Sequence, residues 1–338
     1  MASIFNHTDF WHLSSNAAAN ILLDNQRNLV VLLAWIQGII LCALSPLITF
    51  GNAFVVYAVW RDPLKNLRSS PSNFILQSMA VADLLVGVVL SPLNAYLLLK
   101  IAVDKRIALP LHVTYSLGTT LVGASLAHLM LLSVDRFCAV VAPLRYKAII
   151  TYRRVHQALI LVWCYFICFG IAAFLFENKV FIVSLVFGIH TVFLLDLTFD
   201  FYIFILYRLR KYYKLWKRRI MGNSVRVSCS NFTDKEMHLA KRLAIVIAAS
   251  LFLITPFFVF KSLVYFCIPC YSRPKVLLAA TVLEVTFTYL NSVMNPFMFC
   301  WRLQKYRQVW KYFVKRIFQG CTRIKKRFKR RQSFDTKL

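Results

Sequence analysis

The chain has 338 residues, 59% of them hydrophobic, with a mean hydropathy of +0.62 and a formal net charge of +28. A soluble domain of this length needs more polar surface than that around its core. The charge invites a nucleic-acid reading, but its placement argues against one. Of 41 Lys and Arg, 33 fall in four separate blocks (3 in 61–70, 5 across Arg136–Arg154, 11 across Arg208–Arg242, 14 from Arg302 onward) rather than on one basic face.

Residues 1–29 carry Asp9, Asp24 and Arg27 and lack the compact apolar core of a cleavable signal, so the first span serves as the uncleaved one. Asn6-His7-Thr8 is a glycosylation sequon in a segment expected outside. Seven apolar blocks follow, at about 30–60, 71–99, 107–140, 155–176, 180–208, 237–266 and 276–300. About 20 helical residues cross about 30 Å of hydrocarbon. An isolated segment in lipid must satisfy its own backbone, which selects helix, and the blocks lack the alternating polarity of a barrel. The predicted fold is an all-α membrane protein, a seven-transmembrane helix bundle over 30–300. An odd number of spans places the N-terminus outside and the C-terminus inside. The basic blocks independently fall on the inner side of that arrangement.

Residues 301–320 place Trp310, Phe313 and Phe318 among lysines, the pattern of an amphipathic helix on the inner surface. Cys321 is a palmitoylation candidate or an unmodified thiol. The basic tail, 321–338, holds Ser333 behind Arg330-Arg331, which suits a basophilic kinase.

Polar residues inside the apolar blocks carry the functional signal, because a charge deep in a span costs at least about 2.5 kcal/mol. Asp83 lies mid-way through the second block. Asn52, Ser125, Asn291, Ser292 and Asn295 lie deep in others and could converge on it or simply glue helices together. Pro92, Pro256 and Pro296 each remove a backbone hydrogen bond and kink their helices. Asp135-Arg136 ends the third block, and Glu236 opens the sixth at the same level. Arg136 can pair with either acid, or snorkel to the interface. Asp196 and Asp200 in the fifth block suggest no more than hydrogen bonds between helices.

Over about 30–320 these residues resemble the class A (rhodopsin-like) G-protein-coupled receptors. The resemblance rests on Gly51-Asn52, Ala82-Asp83-Leu84, Asp135-Arg136-Phe137 with Pro143-Leu144-Arg145-Tyr146, Trp163, Pro256, and Asn291 to Phe299 around Asn295-Pro296. It implies a receptor that binds an extracellular ligand at the plasma membrane and activates a heterotrimeric G protein without covalent chemistry of its own. Arg136, released from Asp135 and Glu236, contacts the G protein. Tyr202 steadies the active form together with Asn295, Pro296 and Phe299. Asp83, Ser125, Asn291 and Asn295 hold an allosteric sodium ion. The implied ligand cavity is lined by Thr119, Val122, His190, Phe257, Phe258, Lys261, Thr281, Glu284 and Tyr289.

Departures from the pattern are specific. Leu111 stands where the family has a disulfide cysteine, and the short loop at Glu177-Asn178-Lys179 has none. Cys267 and Cys270 suit a local loop disulfide instead, with free thiols or a metal site as the alternatives. Leu194 stands near the usual fifth-helix proline, Ile254 at the switch tryptophan, Ser250 at its phenylalanine partner, and Phe299 at a tyrosine. Some of these are similar to melanocortin-type and lipid receptors. Gly118 in place of an aspartate disfavours amine ligands, and Tyr289 in place of a Schiff-base lysine disfavours retinal. The competing functions are a constitutively active or poorly coupling orphan receptor and, in another class, a small transporter or channel. The second lacks the internal repeat such folds show. No metal-ligand or nucleophile motif of an enzyme appears.

Overall fold

The computed structural model describes residues 16–65, 67–104, 111–176, 179–221, 245, 248–256, 259 and 274–316. Every regular element among them is helical. These are α1 (Asn16–Arg61), α2 (Ser72–Leu85), a π-segment (Val86–Leu90), α3 (Ser91–Asp104), α4 (Leu111–Val141), a short α5 (Tyr146–Ile149), α6 (Tyr152–Leu175), α7 (Val180–Met221), α8 (248–256), α9 (Pro274–Arg302) and α10 (304–316). Five stretches among the described residues are long and apolar enough to cross a membrane: Asn28–Arg61, Ser72–Val103, His112–Val141, Tyr152–Leu175 and Ile182–Lys211. The expected block at 276–300 lies within α9, and most of the one at 237–266 lies outside the described residues.

Burial identifies the central helix. In α4, 61% of the apolar window is buried, against 17% in α6, which therefore lies at the rim. α4 packs against α2, α6 and α7. Small residues permit these close crossings, as is usual where packing rather than hydrophobicity joins helices. A Cβ on Gly170 of α6 would lie 1.8 Å from Thr120 Oγ1 and 3.2 Å from the Ser116 carbonyl oxygen.

Two prolines shape the bundle, and in each case a neighbouring helix satisfies backbone oxygen near the break. Pro92 brings no N–H to the helix, and the turn before it widens. The Ser91 N–H reaches back to the Val86 carbonyl, and the Ser45 hydroxyl of α1 donates to the Gly87 carbonyl at 2.8 Å. In α9, Pro296 frees the carbonyl four residues back, that of Ser292. Asn52 Nδ2 of α1 donates to it at 3.0 Å. The Pro296 ring sits against Gly51, where a Cβ would come within 2.8 Å.

The largest apolar cluster joins one end of α1, α2, α4 and α6 to α9 and α10 through Val59, Leu76, Leu132, Leu159, Phe299 and Tyr306. α10 docks there by Tyr306 and Val309, with Leu303 buried just before it, while Lys305, Arg307, Lys311, Lys315 and Arg316 remain exposed. Asp196 and Asp200 turn outward from α7 and are exposed, rather than bonding between helices.

Candidate functional site

Among the described residues, two polar clusters centre on charged side chains that are at most 1% exposed. The first surrounds Asp83, which α2 holds fully buried at the centre of the structure. An isolated carboxylate there is costly unless donors face it. Ser125 of α4 donates to Oδ1 at 3.2 Å, Ser292 of α9 to Oδ1 at 2.8 Å, and Asn295 Nδ2 of α9 to Oδ2 at 2.7 Å. The carboxylate thus ties three helices together.

A cavity of about 20 Å³ adjoins this cluster, lined by Val122, Ser125, Leu126, Ile254, Thr288, Asn291 and Ser292. That is room for one water or one small ion. Asn291 does not bond to the carboxylate. It borders the cavity, 7% exposed, and its Oδ1 is buried without a hydrogen-bond partner. Ile254 supplies apolar lining together with Val122 and Leu126. The donor set fits a small monovalent cation: one carboxylate, two hydroxyls already bonded to it, and one amide oxygen with unused acceptor capacity.

The second cluster lies at the end of α4. Arg136 is 0% exposed and Asp135 1%, and the two form an ion pair through Nε at 2.7 Å and also through Nη2. Two further residues complete it. Arg136 Nη2 donates to the Ser72 hydroxyl at 2.7 Å and to the Tyr146 hydroxyl at 3.1 Å. Tyr146 donates to Asp135 Oδ1 at 2.8 Å, and Ser72 to the same oxygen at 3.1 Å. Burial pushes the Tyr146 phenol above its usual range, so it remains a donor. The guanidinium also lies 5.8 Å from the centre of the Tyr146 ring. Sequence reading assigned no role in the clasp to Ser72 or Tyr146. Helical periodicity says nothing about which residue of a neighbouring helix or loop will meet an arginine. The only available signals were Ser72 in the first turn after Pro71 and Tyr146 at the end of the Pro143–Tyr146 stretch.

The other predicted positions disperse. Val122 lines the cavity. Thr119 is buried and donates to the Ser116 carbonyl of its own helix at 2.9 Å. Tyr289 is buried and accepts from Asn94 Nδ2 at 2.6 Å. His190 turns to α6, where its Nε2 meets the Tyr165 hydroxyl and its ring packs near Phe169. Tyr202 packs with Leu126, Leu129 and Ile254. Phe299 is fully buried beside Tyr306, with ring centres 6.2 Å apart. Pro296 lies in α9 against Gly51. Asn6, Glu236, Phe257, Phe258, Lys261, Cys267, Cys270, Cys321 and Ser333, and the side chains of Thr281 and Glu284, lie outside the described residues.

Comparison with known proteins supplies the remaining evidence. Residues 51–299 match the family of 7 transmembrane receptors (rhodopsin family). The adenosine receptor A2a of Canis lupus familiaris is 24% identical over 327 residues, covering 83% of this chain and 73% of that protein. That of Homo sapiens is 24% identical over 306 residues, covering 81% and 70%. The histamine H2 receptor of Canis lupus familiaris is 35% identical over 128 residues, covering 37% and 34%. A family match over more than half the chain, together with an intramembrane carboxylate and a buried Asp-Arg clasp at the end of the central helix, makes this chain a member of the rhodopsin-type seven-transmembrane receptors, a G-protein-coupled receptor and not an enzyme.

Proposed function

We propose that the receptor crosses the plasma membrane seven times, N-terminus outside, binds an extracellular small-molecule ligand, and activates a heterotrimeric G protein at its inner face. The carrying observation is the buried guanidinium of Arg136, closed off by Asp135, Ser72 and Tyr146. Held this way, Arg136 presents nothing to a partner. Release of Arg136 from Asp135, Ser72 and Tyr146, together with movement of α8 and the segment carrying Glu236 away from α4, exposes the charge. Ligand and G protein each favour the open state, so each raises the other's affinity. The 33 basic residues in the four blocks then frame the inner mouth and face anionic lipid.

A sodium ion held by Asp83, Ser125 and Asn291 with Asn295 nearby supplies a counter-charge for the carboxylate and braces α2, α4 and α9 in the closed form. The unpartnered Asn291 Oδ1 beside the 20 Å³ cavity supports this. For the ligand, a Cβ added to Gly118 would meet nothing within 4 Å. Among the described residues, that position therefore offers space but no counter-charge for an amine. The A2a relatives are named for adenosine, so nucleosides head the screen, followed by lipids and peptides.

The test is a nucleotide-exchange assay on cell membranes, with that ligand panel and Arg136→Ala as control. We expect at least one ligand to raise exchange and Arg136→Ala to reduce it at least tenfold at equal surface expression. Silence toward every ligand and every G-protein class, with intact expression, overturns the proposal.

A further inference from the structure

The face of α7 that points away from the bundle carries two acids that ligand binding and G-protein coupling leave unused. One side of α7 is buried against its neighbours through Phe187, Thr191, Thr198, Ile205 and Leu209. Along the other side Val186, Ile189, Phe193, Ile203 and Tyr207 are exposed, Phe193 by 63% and Tyr207 by 60%. Asp196 and Asp200 are exposed in the same line. From Val186 to Tyr207 these seven positions succeed one another at steps of three and four residues, the spacing of a seam that receives a second helix. At its centre the seam holds carboxylates in place of apolar side chains.

Their depth makes them costly. The apolar span runs from Ile182 to Lys211, so Asp196 stands 14 residues from one end and 15 from the other. At about 1.5 Å per residue each boundary is roughly 20 Å away, beyond the reach of so short a side chain. Among the described residues, neither carboxylate has a hydrogen-bond or ion-pair partner. Lipid headgroups stay at the boundary and cannot supply one. A second copy of this chain has no counter-charge to offer from its described spans: in all five, every Lys and Arg lies within five residues of an end. Two α7 seams face to face would set acid against acid. What relieves both carboxylates is a cation held at the same depth, and in hydrocarbon a helix is what holds one there.

We infer that the outer seam of α7 docks a transmembrane helix of another membrane protein, one with a Lys or Arg near its midpoint. The cation sits between Asp196 and Asp200, one turn apart on α7, while the residues around it pack on Phe193 and Ile203. A polar position inside an otherwise apolar seam fixes the register of the two helices and selects the partner. The inference rests on the proposed receptor only in that α7 crosses the bilayer; ligand and G protein do not enter it.

The test reconstitutes the full-length receptor in phosphatidylcholine vesicles with a labelled single-span polyleucine peptide that has Arg at its midpoint, and reads association by energy transfer. One reference peptide has Leu there, and another has its Arg moved to the end of the span. We expect the central-Arg peptide to bind at least about tenfold more tightly than either. Asp196→Asn combined with Asp200→Asn should abolish the difference without lowering the thermal midpoint or ligand-stimulated nucleotide exchange. Equal binding of the central-Arg and Leu peptides to the unaltered receptor overturns the inference, and so does a preference that survives in the double variant. Energy transfer between receptors alone, lost in the double variant, makes the occupant a second copy and overturns it as well. Cysteines introduced at the two ends of α7 and labelled from one side of the membrane would sink the seam together with the seven-span arrangement. A central-Arg preference in a receptor silent toward every ligand upholds the seam and overturns only the coupling proposal.

Discussion

Tyr146 links the two charges of the clasp, receiving a hydrogen bond from Arg136 and giving one to Asp135. Removing its hydroxyl leaves the ion pair in place but deletes the tie to the segment after α4. The net contribution of an intramolecular hydrogen bond, after exchange with water, is about 1 kcal/mol and somewhat more to a charged group, so losing the hydroxyl weakens the closed state by about 1 kcal/mol or more. Tyr146→Phe is therefore expected to raise ligand-free nucleotide exchange about fivefold. The substitution keeps the ring, so cation–π contact and packing persist. Exchange equal to wild type, at equal expression, would show that the hydroxyl does not restrain the closed state. Ser72→Ala tests the same idea from α2, with the same sign, because Ser72 also accepts from Arg136 and donates to Asp135.

At the scale of elements, backbone approach sets the geometry. α4 and α6 meet where Gly170 leaves no room for a side chain beyond hydrogen. Gly170→Ala pushes a methyl into Thr120 Oγ1 and should destabilise by about 1–3 kcal/mol, read as a lower thermal midpoint in detergent. Gly170→Ala with Thr120→Ala should recover most of that loss, since the remaining contacts are the Ser116 carbonyl oxygen and the residue-120 Cβ, each at 3.2 Å. Strict additivity of the two changes would mean that the clash is relieved elsewhere. The α1–α9 crossing depends in the same way on Asn52, whose amide satisfies the carbonyl that Pro296 frees. Asn52→Ala strands that oxygen and should cost about 1–3 kcal/mol.

For the whole molecule, Asp83 joins α2, α4 and α9 at one carboxylate. A cation that binds only the closed arrangement stabilises it by mass action, about 1.4 kcal/mol at ten times its dissociation constant. Replacing choline chloride by sodium chloride should raise the thermal midpoint of the ligand-free receptor and lower agonist affinity. Asp83→Asn should abolish both responses. Its midpoint without sodium should not fall, because a neutral isostere removes the cost of burying the charge. A sodium response that survives in Asp83→Asn would place the ion elsewhere. Ser125→Ala should weaken the response without abolishing it, since the carboxylate and Asn291 remain.

For the five spans among the described residues, which segments are apolar helices was legible in the chain, because hydrocarbon imposes a composition on each segment separately. The positions of Asp83 and of Asp135-Arg136 were legible for the same reason: a charge inside an apolar block stands out without knowledge of its neighbours. Partner choice was not. Ser292 rather than Asn291 meets the carboxylate, Ser72 and Tyr146 join the clasp, and His190 turns to Tyr165. These outcomes depend on how far each helix is rotated and how deep it sits. In helices apolar on nearly every side, no stripe of polarity records that rotation. Contacts among glycines, prolines and freed carbonyls fix it, and they exist only once the helices are packed.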